Sequence, residues 1–272
     1  MASRVGVLLA AIEIALLGAC GREASDSTRP DALSPTVAEI VLPSTTMAPG
    51  ASAPGDSLAI SPPIADELAI GPSSLAVLQG GLIAVADPLR ESIAFFHGDG
   101  RLASRIRVGF PADRLIVSAG TLWVRRAIDG AAFEVRQNSV TAAATSMNPF
   151  ARDSTKLSGD GTAYFHTSSG DIALEVPSES GRLMSARWLS TEGQSLRWIA
   201  YEFVTEDSLV AVTTVIAKHR ADGSRIGEAS FDHPEVDVPP IDEFAVSDGK
   251  IYQLLPTRMG TRVRVKQVGA GA

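Results

Sequence analysis

The sequence predicts an all-β fold built from many short antiparallel strands. Composition is the first reason, because 24 glycines, 16 prolines and only 6% aromatic residues in 272 positions imply frequent turns rather than a bundle of helices. A repeat of tight turns is the second reason, and it also predicts how the strands are arranged. A chain of this length can bury a core without disulfide or metal support.

Tight turns recur at a spacing of roughly 42 residues. The first family of turns, each flanked by two short apolar strands, consists of QGG (79–81), SAG (118–120), GDG (159–161), TED (205–207) and SDG (247–249). The second family, predicted to join strands three and four of each repeat, consists of HGDGR (97–101), RQNSV (136–140), SESGR (178–182) and RADGS (220–224). Gly and Asp recur there because such turns need a positive φ or a side-chain bond to the backbone. Four short antiparallel strands at this period are typical of β-propeller blades.

The ends of the repeat region predict a closed ring of five blades. The last repeat has only three strands, and an unpaired segment, DELAIG (66–71), precedes the first repeat. We expect this N-terminal strand to complete the last blade, because closure removes exposed strand edges. A sixth, half-complete blade from residues 36–63 is one alternative. A β-sandwich is another, although it gives no reason for the period.

The residue pattern of the repeats resembles that of a known family of propellers. The segment VADPLRESIAFFHGDGRLASRIRVG (85–109) and the segment EFAVSDGKIYQLL (243–255) are similar to blades of the six-bladed NHL-type β-propellers of bacterial envelopes. The resemblance covers residues 66–268 and contains no diagnostic motif. It implies a propeller that works outside the cytoplasm.

The first twenty residues have the anatomy of a signal peptide. Arg4 is followed by the apolar run Val5–Leu17, which is too short for a comfortable transmembrane span. The run ends in Leu17-Gly18-Ala19-Cys20, which resembles the lipobox of bacterial lipoproteins. The resemblance implies a diacylglycerol on the Cys20 sulfur, cleavage before Cys20 and a place in the cell envelope, with Gly21 favouring the outer membrane. The alternatives are a secretory signal with a chance cysteine, or an uncleaved anchor.

These observations predict three parts of the chain. Residues 1–19 are a lipoprotein signal peptide, residues 20–63 are a flexible tether rich in Ser, Pro and Ala, and residues 64–272 are the propeller. Cys20 is the only cysteine, which excludes an internal disulfide and a thiolate metal cage.

The ligand of a propeller usually binds on the face where the loops from strand two to strand three, and from blade to blade, gather around the central channel. The residues that this rule places there are Asp87, Arg90, Asp129, His233, Glu235, Asp237 and Arg258. The acidic loop 232–242 offers oxygen ligands of the kind that Ca²⁺ prefers, but its spacing matches no known calcium loop. The alternative is a solvated loop between blades, held by prolines.

The functional class follows from what the sequence contains and lacks. It has no nucleophile elbow, no phosphate loop that opens a helix and no histidine pair at metal-ligand spacing. A net charge of −7 argues against nucleic acid as a partner. We therefore expect a lipid-anchored envelope propeller that needs no cofactor and binds a protein or glycan. The alternative is a metal-dependent envelope hydrolase or lyase with a site, for example for Ca²⁺, built from loops between blades.

Overall fold

The computed structural model describes residues 36–47, 55–63, 69–136, 139–142, 149–151, 154–167, 169–179, 181–192, 195–205, 211–232, 238–257 and 259–270. The predicted signal peptide and Cys20 lie outside these ranges. The compact unit that contains all the described residues begins at Leu33.

The described residues form a five-bladed β-propeller, which confirms the predicted fold class. Three strands precede the first repeat: β1 (Thr36–Leu42), β2 (Ser44–Thr46) and β3 (Leu58–Ile60), of which β2 and β3 pair in parallel. Blade 1 consists of β4 (Ser74–Val77), β5 (Ile83–Asp87), β6 (Ser92–Phe96) and β7 (Leu102–Arg107). Blade 2 consists of β8 (Ala112–Ser118), β9 (Thr121–Arg126), β10 (Ala132–Arg136) and β11 (Ser139–Ala142).

The remaining blades differ in size. Blade 3 has three strands in the described part of the chain: β12 (Ser154–Leu157), β13 (Ala163–Thr167) and β14 (Gly170–Ala173). Blade 4 consists of β15 (Arg182–Glu192), β16 (Leu196–Thr205), β17 (Ala211–His219) and β18 (Arg225–Asp232), with the terminal strand β22 (Gly269–Ala270) at its edge. Blade 5 consists of β19 (Phe244–Ser247), β20 (Lys250–Thr257), β21 (Gly260–Gln267) and β1. Short 3-10 turns span Pro88–Arg90 and Pro149–Ala151.

An N-terminal strand closes the ring, but it is not the one that the sequence predicts. Strand β1 pairs antiparallel with β21 from Thr36 to Leu42, whereas the described part of DELAIG makes a single bridge, between Ile70 and Ser61. The reason is packing: Ile40 and Leu42 of β1 join the apolar core between blades 5 and 1. The expectation of a flexible tether up to residue 63 is therefore wrong for the strands β1, β2 and β3.

The predicted repeat also fails at blades 3 and 4. TED (205–207) falls between β16 and β17, a connection from strand two to strand three, and SESGR (178–182) leads into the inner strand β15. Blade 3 is built from strands of 4 or 5 residues, while blade 4 uses strands of 8 to 11 residues. This shift of chain length from one blade to the next hides the boundary from a count of turn spacings.

In the described part of the chain, four buried apolar clusters lie between neighbouring blades. They join blades 5 and 1, blades 1 and 2, blades 3 and 4, and blades 4 and 5, and their representative members are Leu75, Leu122, Phe165 and Phe244. None of the four clusters contains residues of both blade 2 and blade 3. We call the face with the loops from strand two to strand three and from blade to blade the upper face, and the face with the tight turns the lower face.

Candidate binding face

A buried carboxylate joins three blades at the upper end of the central channel. Asp242 lies just before β19; it accepts a hydrogen bond from Arg114 Nε at 2.7 Å and another from Arg187. Its backbone N–H donates to the Ser73 carbonyl at 2.9 Å. Only 7% of the Asp242 side chain is exposed. These contacts make Asp242 a clamp between blades 2, 4 and 5 rather than a free ligand.

Beside this clamp, the upper face contains a shallow groove of about 220 Å³. Its walls come from several loops that are far apart in the sequence, and its apolar lining includes Ile70, Pro88, Pro111, Val238 and Ile241. Prolines fix φ and have no backbone N–H, so these walls offer a stiff apolar surface with few hydrogen-bond donors.

Large aliphatic side chains are exposed on the loops of the upper face. Ile70, Ile128, Ile241 and Met259 all lie on loops of the upper face, with Ile128 and Met259 87% and 92% exposed. Within the described ranges, the tight turns of the lower face expose no large hydrophobic side chain. The other exposed large hydrophobics of the described residues lie in strands: Val37, Val41, Leu157, Met184 and Val212. Isolated exposed hydrophobics are normal on any protein, so the upper loops stand out because four of them occur on one face.

Asp87, predicted on the ligand face, is instead fully buried. Its Oδ2 accepts hydrogen bonds from the Ala59 backbone N–H at 3.2 Å and from Arg105 Nη1 at 3.0 Å, and Arg90 Nε lies 3.7 Å away. Burial raises the pKa of Asp87, and Arg105 opposes that shift. Asp87 therefore fastens the N-terminal strand β3 to blade 1 and is not accessible to a ligand.

Asp129 is the predicted residue that the structure does place on an exposed loop. Arg126 holds it with two hydrogen bonds, Nε to Oδ1 at 2.8 Å and Nη2 to Oδ2 at 2.5 Å. The bond from Arg126 lowers the pKa of Asp129 to about 2, so the pair stays ionised next to Ile128. His233, Glu235, Asp237 and Arg258 lie outside the described residues, so their predicted place on this face is untested.

The sequence reasoning missed the clamp and the aliphatic loop residues. The clamp has no local signal, because Arg114 and Asp242 are 128 positions apart. The aliphatic residues do have one: Ile128, Ile241 and Met259 each stand alone in an otherwise polar or proline-containing loop, as in AIDG, PPID and RMG.

The described residues contain no group of three or more His, Cys, Asp or Glu side chains that could hold a metal ion. Two carboxylates at the ends of the acidic loop are engaged by arginines: Asp232 by Arg264 at 3.2 Å, and Asp242 by its two partners. No helix in the described ranges is long and apolar enough to cross a bilayer.

No protein-family model and no curated protein sequence matches the chain. Solved structures do match, at low similarity. A streptogramin B lyase has 12% identity and a TM-score of 0.32, over 74% of this chain and 84% of the lyase. A virginiamycin B lyase from Staphylococcus aureus has 10% identity and a TM-score of 0.36, over 72% of this chain and 94% of the lyase. BamB from Moraxella catarrhalis has 11% identity and a TM-score of 0.31, over 85% of this chain and 97% of BamB. We transfer neither activity nor partner from proteins at this distance.

Proposed function

We propose that this chain is a lipid-anchored binding module of the bacterial cell envelope, and that it docks a protein partner on its upper face. One observation carries the proposal: the upper face combines an apolar, proline-walled groove, lined in part by the exposed Ile70 and Ile241, with further exposed aliphatic side chains on its loops. Exposed apolar patches of this kind mark contacts with proteins or membranes. Aliphatic side chains offer a sugar no hydrogen bonds, so they favour a protein over a glycan.

The direction of the closing strand supports this orientation. Thr36 pairs with Lys266, at the lower end of β21, and Leu42 pairs with Thr261, at its upper end. The chain therefore enters the propeller from the lower face. If Cys20 carries the lipid, the 15 intervening residues reach at most about 50 Å from that side. Because β1 is entered at its lower end, the tether's point of attachment does not cover the loops of the upper face.

Site-specific photocross-linking in intact envelopes tests the docking face. A cross-linking amino acid at Ile128 or Met259 should give a discrete adduct with one partner protein. The matched control is the same amino acid at Asp160, an exposed turn residue of the lower face. The proposal fails if Asp160 gives the same adduct, or if both upper positions give none. Labelling of envelope glycan without a protein adduct would favour the glycan alternative.

Fractionation tests the anchor separately. Cys20→Ala should release the protein from the membrane fraction, because loss of the acyl chains removes the attachment. Retention of a full-length Cys20→Ala chain in the membrane would contradict the lipobox and make Val5–Leu17 an anchor. Neither result bears on the docking face, so the two parts of the proposal fail independently.

A further inference from the structure

The central channel opens on the lower face into a cavity of about 470 Å³. Turns of blades 1, 2, 4 and 5 line this cavity, and the lining residues include Gln79, Ala119, Glu192, Trp198 and Asp248. This volume lies within the range of small-molecule sites. Further into the channel, the free space falls to about 30 Å³ at the level of Asp242. A ligand would therefore enter from the lower face and stop below the clamp.

Glu192 supplies an ionised carboxylate at the cavity wall. Its Oε2 accepts hydrogen bonds from Trp198 Nε1 at 3.1 Å and from Lys218 Nζ at 2.9 Å. The bond from Lys218 lowers the pKa of Glu192, which keeps the carboxylate charged at neutral pH. Both bonds use Oε2, so Oε1 has no partner in the described part of the chain. The side chain is 46% exposed.

Asp248 supplies a second carboxylate from blade 5. It sits in the tight turn between β19 and β20 with a φ of 51°, a left-handed conformation that Asp tolerates. Its one hydrogen bond in the described residues is a long one, 3.4 Å from Ser247 Oγ. With two carboxylates and the ammonium of Lys218, the cavity carries an excess of one negative charge.

The inner wall of the cavity is apolar. Val77, Val117 and Val246 line it below the level of the clamp. On the side of the cavity, the indole of Trp198 already has an ammonium over its ring, because Lys218 Nζ lies 5.0 Å from the ring centroid. Apolar walls with a few fixed polar groups are what orient a small ligand.

We infer that this lower cavity binds a small organic cation with an aliphatic body. Its ammonium or guanidinium group would lie between Glu192 and Asp248, and its alkyl chain would contact the three valines. This site is separate from the upper face, and it does not depend on the proposed docking function.

Titration of the full chain with cadaverine, a five-carbon diamine, tests the inference. The readout is the indole N–H resonance of Trp198, assigned by its loss in Trp198→Phe. We expect a saturable shift with a Kd of about 10 mM or tighter. Two probes of similar length serve as ligand controls: pentane-1,5-diol has no charge, and glutarate has the opposite charge.

Two substitutions remove the charges with little change of shape. Glu192→Gln and Asp248→Asn should each weaken cadaverine binding at least fivefold, and Asn retains the left-handed turn at 248. The matched control, Asp160→Asn, changes the corresponding turn of blade 3, which does not line the cavity, and should bind normally.

Several results would overturn the inference. These are the absence of a saturable shift with cadaverine, equal binding of the diol or of glutarate, and equal weakening by Asp160→Asn. If Glu192→Gln loses its folded spectrum, Asp248→Asn alone decides, because the mutation lies in an exposed turn outside the core.

Discussion

Two junctions of the ring differ in how their apolar side chains are packed. Between blades 5 and 1, the chain buries Leu42 of β1 and Leu58 of β3 together with Leu75, Phe96 and Leu254 in one apolar cluster. Between blades 2 and 3, none of the four apolar clusters makes a connection. The first junction joins the two ends of the chain, and the second joins consecutive blades.

The second junction combines apolar and charged side chains. Leu122 and Val124 of blade 2 pack towards blade 1, so Trp123 and Arg125 lie on the other face of β9, where Trp123 is buried beside its cross-strand partner Ile116. Phe165 of blade 3 packs towards blade 4, which leaves His166 on the face turned towards blade 2. Because none of the four apolar clusters spans blades 2 and 3, we expect this junction to contribute less burial energy than the others.

Phe150, in the short turn before blade 3, lies against two arginines of blade 2. The guanidinium carbons of Arg114 and Arg125 each lie 5.9 Å from its ring centroid, within the range of cation–π contacts. His166 on blade 3 is paired instead with its cross-strand neighbour Asp171, Nδ1 to Oδ1 at 2.5 Å. Arg125 is likewise paired within its own blade, with Asp113 at 2.9 Å, whereas Arg114 reaches across to Asp242.

The largest expected effect comes from breaking the apolar junction. Leu58 is fully buried, and Leu58→Ala should lower the free energy of unfolding by about 4 kcal/mol, through lost burial and the cavity left behind. Leu157→Ala, the same change at a 37% exposed site in blade 3, should cost less than about 1 kcal/mol. Urea denaturation measures both. Equal losses would show that β3 is not part of the closing core.

The Asp242 clamp should contribute more to the stability of the ring than the junction between blades 2 and 3. Asp242→Ala leaves Arg114 and Arg187 without their shared carboxylate and should cost about 3 kcal/mol in urea denaturation. The control is Asp129→Ala, which breaks an exposed arginine pair and should leave the unfolding midpoint unchanged within error. If the unfolding midpoint of Asp242→Ala equals that of the control, the clamp contributes no more to stability than a surface ion pair.

The same contrast separates what could be predicted from the sequence from what could not. The turns of the lower face repeat one local device: Asp99, Asp160 and Asp222 each accept a hydrogen bond from the backbone N–H two residues later, at 2.9 to 3.0 Å. A turn whose hydrogen bonds all lie within five residues leaves a recognisable sequence motif, so the blades and the all-β class were predictable.

Features that depend on distant partners left no such pattern. β1 is a strand because β21, more than two hundred positions away, has an open edge and an apolar side to cover. Asp87 looks like a loop ligand in sequence, but β3 folds over it and buries it. The candidate groove is likewise assembled from loops far apart in the chain, so sequence could predict its face but not its lining.

Hydrogen exchange of the unmutated protein should show a difference in local stability between the two junctions. Amides of β13 in blade 3 should exchange at least tenfold faster than those of β20 in blade 5, a difference of about 1.4 kcal/mol in opening free energy. The physical reason is that blade 3 is supported by an apolar cluster on one face only. Equal protection of β13 and β20 would mean that the junction between blades 2 and 3 opens no more readily than the rest of the ring.

The supported side of blade 3 has its own weak point, a buried histidine in blade 4. His219 Nδ1 donates to the Gly223 carbonyl at 3.0 Å, and this carbonyl also accepts the backbone N–H of Glu175 at 3.0 Å. The turn leaves no room for a side chain, because a Cβ on Gly223 would lie 1.9 Å from the Ala173 carbonyl oxygen. His219 thus shapes the turn that holds the chain leaving blade 3.

Protonation of His219 should loosen this turn. With Nδ1–H committed to a carbonyl, Nε2 accepts the Tyr201 hydroxyl at 2.9 Å, and the excess proton would have to displace that bond. Burial lowers the pKa of His219 in the folded state below the unfolded value of about 6.5. The contribution of His219 to stability is therefore complete above pH 6.5 and falls as the pH drops from there towards the folded pKa. Urea denaturation from pH 7.5 to 5.5 should show this loss in the wild type and in His97→Gln, an exposed control, but a flatter profile in His219→Gln. A slope that survives in His219→Gln would assign the pH dependence to other groups.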